Sequence, residues 1–320
     1  MIIDVFSHII TKKCKEALLK KTKSNLSTLT ELFENYRVLS DLELRLRVMG
    51  RYPDVLQVLV PAIPPLETLV SRADAADLAR LNNDETAGLV EKYPDKFITS
   101  VAVLPQNDID ASMKEMERVV TKLDMRGILL HSNVNGETLD LPKFRPIFAQ
   151  MAEYDLPVFI YPSYLKITYP PLSKELPAAY QHFFDEAVIQ AIQWPAETTM
   201  TMIRLGVSGI FREYPSIKLV AHHCGGLIPF CQDRVVLRDV DDIHKFYGDT
   251  ALVDTAGPLM CGYSFFGADH LVFGTGTPLG RVHGYGIRKT IRAIEALDIP
   301  AADKEKIFER NALHLLRITV

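Results

Sequence analysis

The sequence predicts an α/β chain folded as a (β/α)8 TIM barrel, in one domain spanning residues 1–320 with insertions at 13–50 and 163–215. Three observations predict it: eight short runs rich in Val and Ile, helical patterns between them, and a length that suits one large barrel as well as two small domains. The runs are 2–6, 55–60, 98–104, 127–131, 158–161, 217–222, 252–255 and 270–275. They are nearly continuous in apolar residues instead of alternating, the pattern of parallel strands covered on both faces.

Taken in order, the first run is followed by the 13–50 insertion and the third by a clear helix. In that helix, at 110–123, Met113, Met116, Val119, Val120 and Leu123 recur at helical spacing behind the capping candidates Asp108 and Asp110. The 163–215 insertion contains YPPLSKELPAAYQHFF, whose prolines predict a loop ahead of a long helix near 185–211. Its Tyr, Phe, Leu and Pro content predicts a homodimer contact, or a roof over a planar substrate built from Trp194, Tyr164, Tyr169 and Phe183. The glycine-rich GRVHGYG after the last run lacks the strand-then-helix context of a dinucleotide or phosphate loop and reads as a loop.

Composition narrows the function. With 48% hydrophobic and 24% charged residues the chain buries a large core. A net charge of −4, with no run of five like charges, gives no footprint for nucleic acid or an anionic membrane, so the expected partner is a small molecule. No apolar window approaches a membrane span, and the N-terminus lacks a signal-peptide pattern. Cys14, Cys224, Cys231 and Cys261 are scattered without a Cys-x-x-Cys pair, which suits reduced thiols in the cytoplasm.

In a barrel, chemistry sits at the carboxyl ends of the strands, which marks Phe6, His8, Tyr161, His222, His223 and Gly276. A lone histidine there is as often a packing residue. The pair in VAHHCGG carries more weight, because two polar rings followed by two glycines describe a tight turn opening onto a cavity. His131 ends the fourth run and is expected to line the same space, whereas Asn133 and Asn135 beside Gly136 read equally well as turn residues. Cys224 is more simply an inert packing thiol than an activated one.

The segments MIIDVFSHII, YPDKFITSVAVLP, MRGILLHSNVNGETLD, LPVFIYP, YPSIKLVAHHCGGLIPF, GADHLVFGTGTPLG and KIFERNALHLL, in that order, resemble the amidohydrolase superfamily. The resemblance is to the branch of aminocarboxymuconate-semialdehyde decarboxylase and related aromatic-acid decarboxylases. It implies a metal-dependent-hydrolase-like barrel acting on a small carboxylated aromatic, cyclic or unsaturated acid. Metal-binding members of that branch carry Asp-x-His-x-His on the first strand, a histidine ending the fifth, and an aspartate in an FGTD-x-P-like ending of the eighth. Here those places read Asp4-Val-Phe6-Ser-His8, Tyr161 and Gly274-Thr275-Gly276-Thr277-Pro278, so of the metal set only His8 remains. Phenylalanine and glycine offer no donor, and the expectation is a degenerate site with neither metal nor cofactor. The alternative is a rearranged site drawn from Asp4, Tyr161, His222, His223 and Asp254.

By the same resemblance, His223 falls at the catalytic histidine when counted without a gap to Pro229 and Phe230, which leaves His222 to the strand. Arg234 falls at a substrate-carboxylate arginine, and reads otherwise as a surface ion pair. The leading expectation is a metal-independent decarboxylase with His223 as general acid, Arg234 holding the carboxylate and Tyr161 a neighbouring oxygen. A hydrolase using His223 or His8 as base is the alternative, weakened by loss of the metal that makes hydroxide at neutral pH. A catalytically silent barrel that binds a ligand is the rival from another class.

Overall fold

A computed structural model describes residues 1–22, 26–62, 64–163, 188–234, 240–252, 256–278 and 284–319. The strands are β1 (Ile2–Ile9), β2 (Val55–Pro61), β3 (Phe97–Ser100), β4 (Ala102–Val103), β5 (Ile128–His131), β6 (Pro157–Tyr161), β7 (Lys218–Ala221), β8 (Tyr247–Asp249) and β9 (Leu271–Val272). They pair in parallel and in chain order, β1 to β3 in one sheet and β4 to β9 in another. Backbone bonds cross between the sheets: Val101 N donates to Leu59 O at 2.9 Å, while Val5 N donates to Phe273 O at 2.9 Å and Gly276 N to Phe6 O at 3.0 Å.

Burial on both faces explains the continuous apolar runs. Val5, Val58, Val60, Val101, Leu129, Phe159, Val220 and Val272 form one cluster that draws on both sheets. Their neighbours Ile128, Leu130, Val158, Ile160, Leu219, Ala221 and Leu271 face the other way, against Met116, Phe148, Met202 and Ile294. The helix predicted at 110–123 is Ile109–Lys122, with the Asp108 carboxylate accepting from Ala111 N at 3.0 Å as its cap.

The 13–50 insertion is three helices, Lys12–Lys21, Leu26–Asn35 and Leu42–Met49. Cys14, Leu18, Leu29, Phe33 and Leu39 pack from it onto Leu78 and Ala79 of the helix Arg72–Lys92. The insertion also supports the site: buried Arg45 donates to the His8 carbonyl at 2.7 and 2.9 Å and to Gln57 Oε1 at 3.2 Å. Asn135 and Gly136, both at positive φ, form the predicted turn, between short strands Asn133–Val134 and Glu137–Thr138.

Two sequence expectations need correction. The strand that pairs between β7 and β9 is Tyr247–Asp249, ahead of the expected 252–255, of which only Leu252 is described; Ala251 and Leu252 form a turn capped by the Asp249 carboxylate, which accepts from Ala251 N at 3.0 Å. The apolar residues of that turn outweighed a short strand ending in an aspartate. The long helix near 185–211 is interrupted: after Ile189–Gln193 and Trp194–Val207 it breaks at Gly209, with φ of 79°, before Ile210–Glu213. Tyr164, Tyr169, Phe183 and Asp254 lie outside the described residues.

Candidate active site

At the carboxyl ends of the strands the rings converge. Phe6 and His8, two apart on β1, turn to the same side with ring centroids 5.4 Å apart, just where the pairing of β1 with β2 shifts register between Asp4 and Ser7. Asp4 fixes this bend from beneath, accepting from Phe6 N at 3.2 Å, Ser7 Oγ at 2.9 Å, and Thr275 N and Oγ1 at 3.0 and 2.6 Å. Its lone pairs are thus committed to structure, which removes it from any rearranged metal set.

Phe6 stacks on His222 with centroids 3.9 Å apart, and His222 lies 3.9 Å from His223, which in turn stacks on Trp194 at 5.9 Å and 9°. Tyr161 is the hub, with ring centroids 5.2 Å from His8, 5.3 Å from His222 and 6.1 Å from both Phe6 and His131. The sequence placed Trp194 among the candidate roof residues, and it covers His223.

The turn after β7 positions the histidine pair. His223 and Cys224 both take positive φ, 54° and 52°, an uncommon conformation for non-glycine residues that concentrates at functional sites. Gly226 is obligatory, since a Cβ there would lie 2.1 Å from the Pro195 carbonyl of the helix packed against the turn. That helix is held to the strand ends by buried Glu197, which accepts from Ser132 Oγ at 2.6 Å and Asn133 Nδ2 at 2.9 Å.

Asp249, fully buried at the end of β8, is the principal site residue that the sequence did not reveal. Its carboxylate accepts from the Nδ1 of His222 in a short hydrogen bond and from Cys224 N at 3.1 Å. The carboxylate sets the tautomer and orientation of His222, the hydrogen-bonded strand histidine of the pair. The opposite edge of the ring faces Gly276, where a Cβ would stand 3.6 Å from His222 Cε1 and 3.8 Å from Nε2. Gln106 was also missed, and holds His131 through Oε1, 3.0 Å from both the backbone N and the ring Nδ1. Arg234 is not brought to the cluster by any described contact; it is exposed on the turn Gln232–Arg234.

Burial dominates the electrostatics. It pushes His222 down to about 3 and Asp249 up to about 6. His8 and His223 are held well below the ordinary histidine value, first by burial and then by neighbouring imidazoles, with the Asp249 carboxylate pulling His223 the other way. Groups with depressed values stabilise the fold fully above about pH 6.5, where the unfolded chain carries no extra protons, and lose that contribution as pH falls. Asp249, raised, acts oppositely below about 6. With three depressed histidines opposed by two raised carboxyls, Asp4 and Asp249, acidification from pH 7.5 to 5.5 is expected to lower the melting temperature. Calorimetry across that range checks it, and a melting temperature that rises on acidification contradicts it.

Among the described residues the donors of this cluster do not fit a catalytic divalent metal. Phe6 and Gly276 contribute none, Asp4 is saturated by its own strand, and among the described residues no group of three His, Cys, Asp or Glu side chains converges on one point.

Comparison with known proteins places this geometry. The amidohydrolase family profile matches residues 41–318. Gamma-resorcylate decarboxylase of Rhodococcus jostii (strain RHA1) is 26% identical over 307 residues, covering 88% of this chain and 89% of that protein. The 2-amino-3-carboxymuconate-6-semialdehyde decarboxylase of Dictyostelium discoideum is 29% identical over 195 residues, 61% of this chain and 51% of that one. A solved dihydroxybenzoic acid decarboxylase from Polaromonas sp. JS666, with bound manganese and the inhibitor 2-nitroresorcinol, superimposes with a TM-score of 0.76 at 22% identity, covering 99% of this chain and 96% of that one.

Proposed function

Because the chain belongs to the amidohydrolase family, we propose that it is a carboxy-lyase that decarboxylates a small carboxylated aromatic acid, and that it does so without a metal. We take residues 1–320 as one domain and the two parallel sheets, joined through β1 and Val101, as a closed (β/α)8 barrel. The observation that carries the reading is the ring column Phe6–His222–His223–Trp194, in which His223 is half-exposed above the buried Asp249. The relatives named as decarboxylases support the reaction class.

His223 protonates the ring carbon that bears the carboxylate; the carbon–carbon bond then breaks, carbon dioxide leaves, and the bonding pair restores the aromatic ring. Burial makes protonated His223 a strong acid. The Asp249 carboxylate and the arriving anion both favour the imidazolium, so the proton is loaded when substrate is present. His222, whose Nδ1–H is given to Asp249, turns a hydrogen-bond-accepting Nε2 toward Gly276, so the substrate group it can bind there is a hydroxyl hydrogen and not a carboxylate oxygen. Trp194 and Tyr161 sandwich the planar ring. Liquid chromatography of product from 2,6-dihydroxybenzoate, salicylate and 2-amino-3-carboxymuconate-6-semialdehyde tests the proposal: the decarboxylated product of at least one is expected, and no carbon dioxide from any of them contradicts it.

The four cysteines, all free, favour a reducing compartment such as the cytoplasm. No described helix is long and apolar enough to cross a membrane. A homodimer through the 163–215 insertion is the expected assembly. Ile192 within it, and Leu227 and Phe230 on the neighbouring turn, expose 52%, 39% and 85% of their surface. Light scattering at micromolar concentration is expected to read twice the chain mass, and a monomer contradicts it.

A further inference from the structure

We propose that Gln106 reads the substrate's ring oxygen: its Nε2 donates to a hydroxyl or phenolate oxygen carried by the ring in addition to the reacting carboxylate. The inference rests on the decarboxylase reading. Gln106 lies just past β4, at the carboxyl end of its strand, where the loops of such a fold build their sites.

It is 2% exposed, and its Oε1 accepts from His131 N and sits against His131 Nδ1, both at 3.0 Å. The backbone N–H can only donate, so the amide oxygen must face His131, and a flipped amide would set two donors against each other. Facing that same oxygen, Nδ1 of His131 carries the proton. Nε2 of Gln106 is thereby turned away from His131, buried, and without a hydrogen-bond partner among the described residues. Buried donors are rarely left so, and an oriented one beside a binding site points to an acceptor on the ligand.

The position favours a ring oxygen over the carboxylate. Gln106 contacts His131, whose ring is 6.1 Å from Tyr161, and Tyr161 is the ring that adjoins His222 at 5.3 Å. In strand order Gln106, His131, Tyr161 and His222 follow one another, so Gln106 joins the ring cluster through His131, at the end away from the His222–His223 pair. Acids with an oxygen there gain a hydrogen bond; those without one bury Nε2 unpaired, which is the arrangement that discriminates most strongly.

The test compares kcat and KM of the wild type, Gln106→Ala and Gln106→Glu on salicylate and the 2,3-, 2,4-, 2,5- and 2,6-dihydroxybenzoates. The wild type is expected to prefer one dihydroxy isomer over salicylate. Gln106→Ala is expected to lower kcat/KM for that isomer by roughly 10–100-fold more than for salicylate, chiefly through KM, the loss common to both acids being that of the His131 anchor. Gln106→Glu keeps an oxygen toward His131 and so separates loss of the donor from loss of the His131 anchor; it is expected to lose the same preference, increasingly as pH rises and the new carboxyl ionises. Equal loss on salicylate and the preferred isomer, or a preference retained within 3-fold in both variants, overturns the role of Gln106 while the decarboxylase reading stands. A wild type without isomer preference overturns it too. A wild type that releases carbon dioxide from none of these acids removes the reading and this inference together.

Discussion

His223→Ala is expected to lower turnover by roughly 10²–10⁴-fold, the range for loss of a positioned proton donor, while the melting temperature stays within a few degrees. The ring is half-exposed and stacked on Trp194, so little core is lost with it. The position is left-handed, with φ of 54°, and His223→Asn is the better control because asparagine tolerates that conformation. Both variants should lose turnover alike, since neither offers an acid. Steady-state rates with matched melts decide it. If either variant keeps turnover within 10-fold of wild type, His223 is not the acid, and His222, the other oriented imidazole, takes its place.

Asp249→Ala is expected to be the most destabilising single change at the site, costing about 3–5 kcal/mol. The substitution strips the acceptor from buried His222 Nδ1, from Cys224 N and from Ala251 N together. It also frees the turn that gives His223 its conformation, so rate and stability fall in the same variant. Asp249→Asn keeps one oxygen for the backbone donors and should recover about half of the lost stability without the charge that favours a protonated His223. Urea unfolding midpoints check the order, wild type above Asn above Ala; a loss below about 1 kcal/mol for the alanine variant contradicts the account.

Which parts of this arrangement were legible follows from the kind of signal each leaves. Strands buried on both faces write themselves as apolar runs, so seven of the eight runs coincide with strands, and the helix behind Asp108 announces its cap and its stripe. Phe6, His8, Tyr161, His131 and the histidine pair were found because strand ends carry the chemistry in such folds, and all of them lie in one ring cluster. Asp249 was hidden by the one misplaced strand: β8 is three residues long, and its aspartate looked like a loop residue ahead of Ala251 and Leu252. Gln106 stands two residues past the third run, whereas His131 is the last residue of the fourth, and a strand-end rule extended to amides just beyond a run would have marked it. Arg234 was placed by resemblance alone, and neither spacing nor periodicity in the sequence bears on whether its side chain turns inward or out to solvent, where it is exposed.

The central claim is decarboxylation by protein groups alone, on a family scaffold whose relative from Polaromonas binds manganese. The resemblance puts Phe6, whose ring lies 3.9 Å from His222, and Gly276 at two of the family's metal-ligand positions, and neither side chain offers a donor. The most direct test is carbon dioxide release from a turned-over aromatic acid before and after exhaustive chelation, with elemental analysis of the same sample. Turnover unchanged within 2-fold at less than about a tenth of a metal per chain is the predicted result; about one zinc or manganese per chain, lost together with activity and restored with it on adding the ion back, would contradict it.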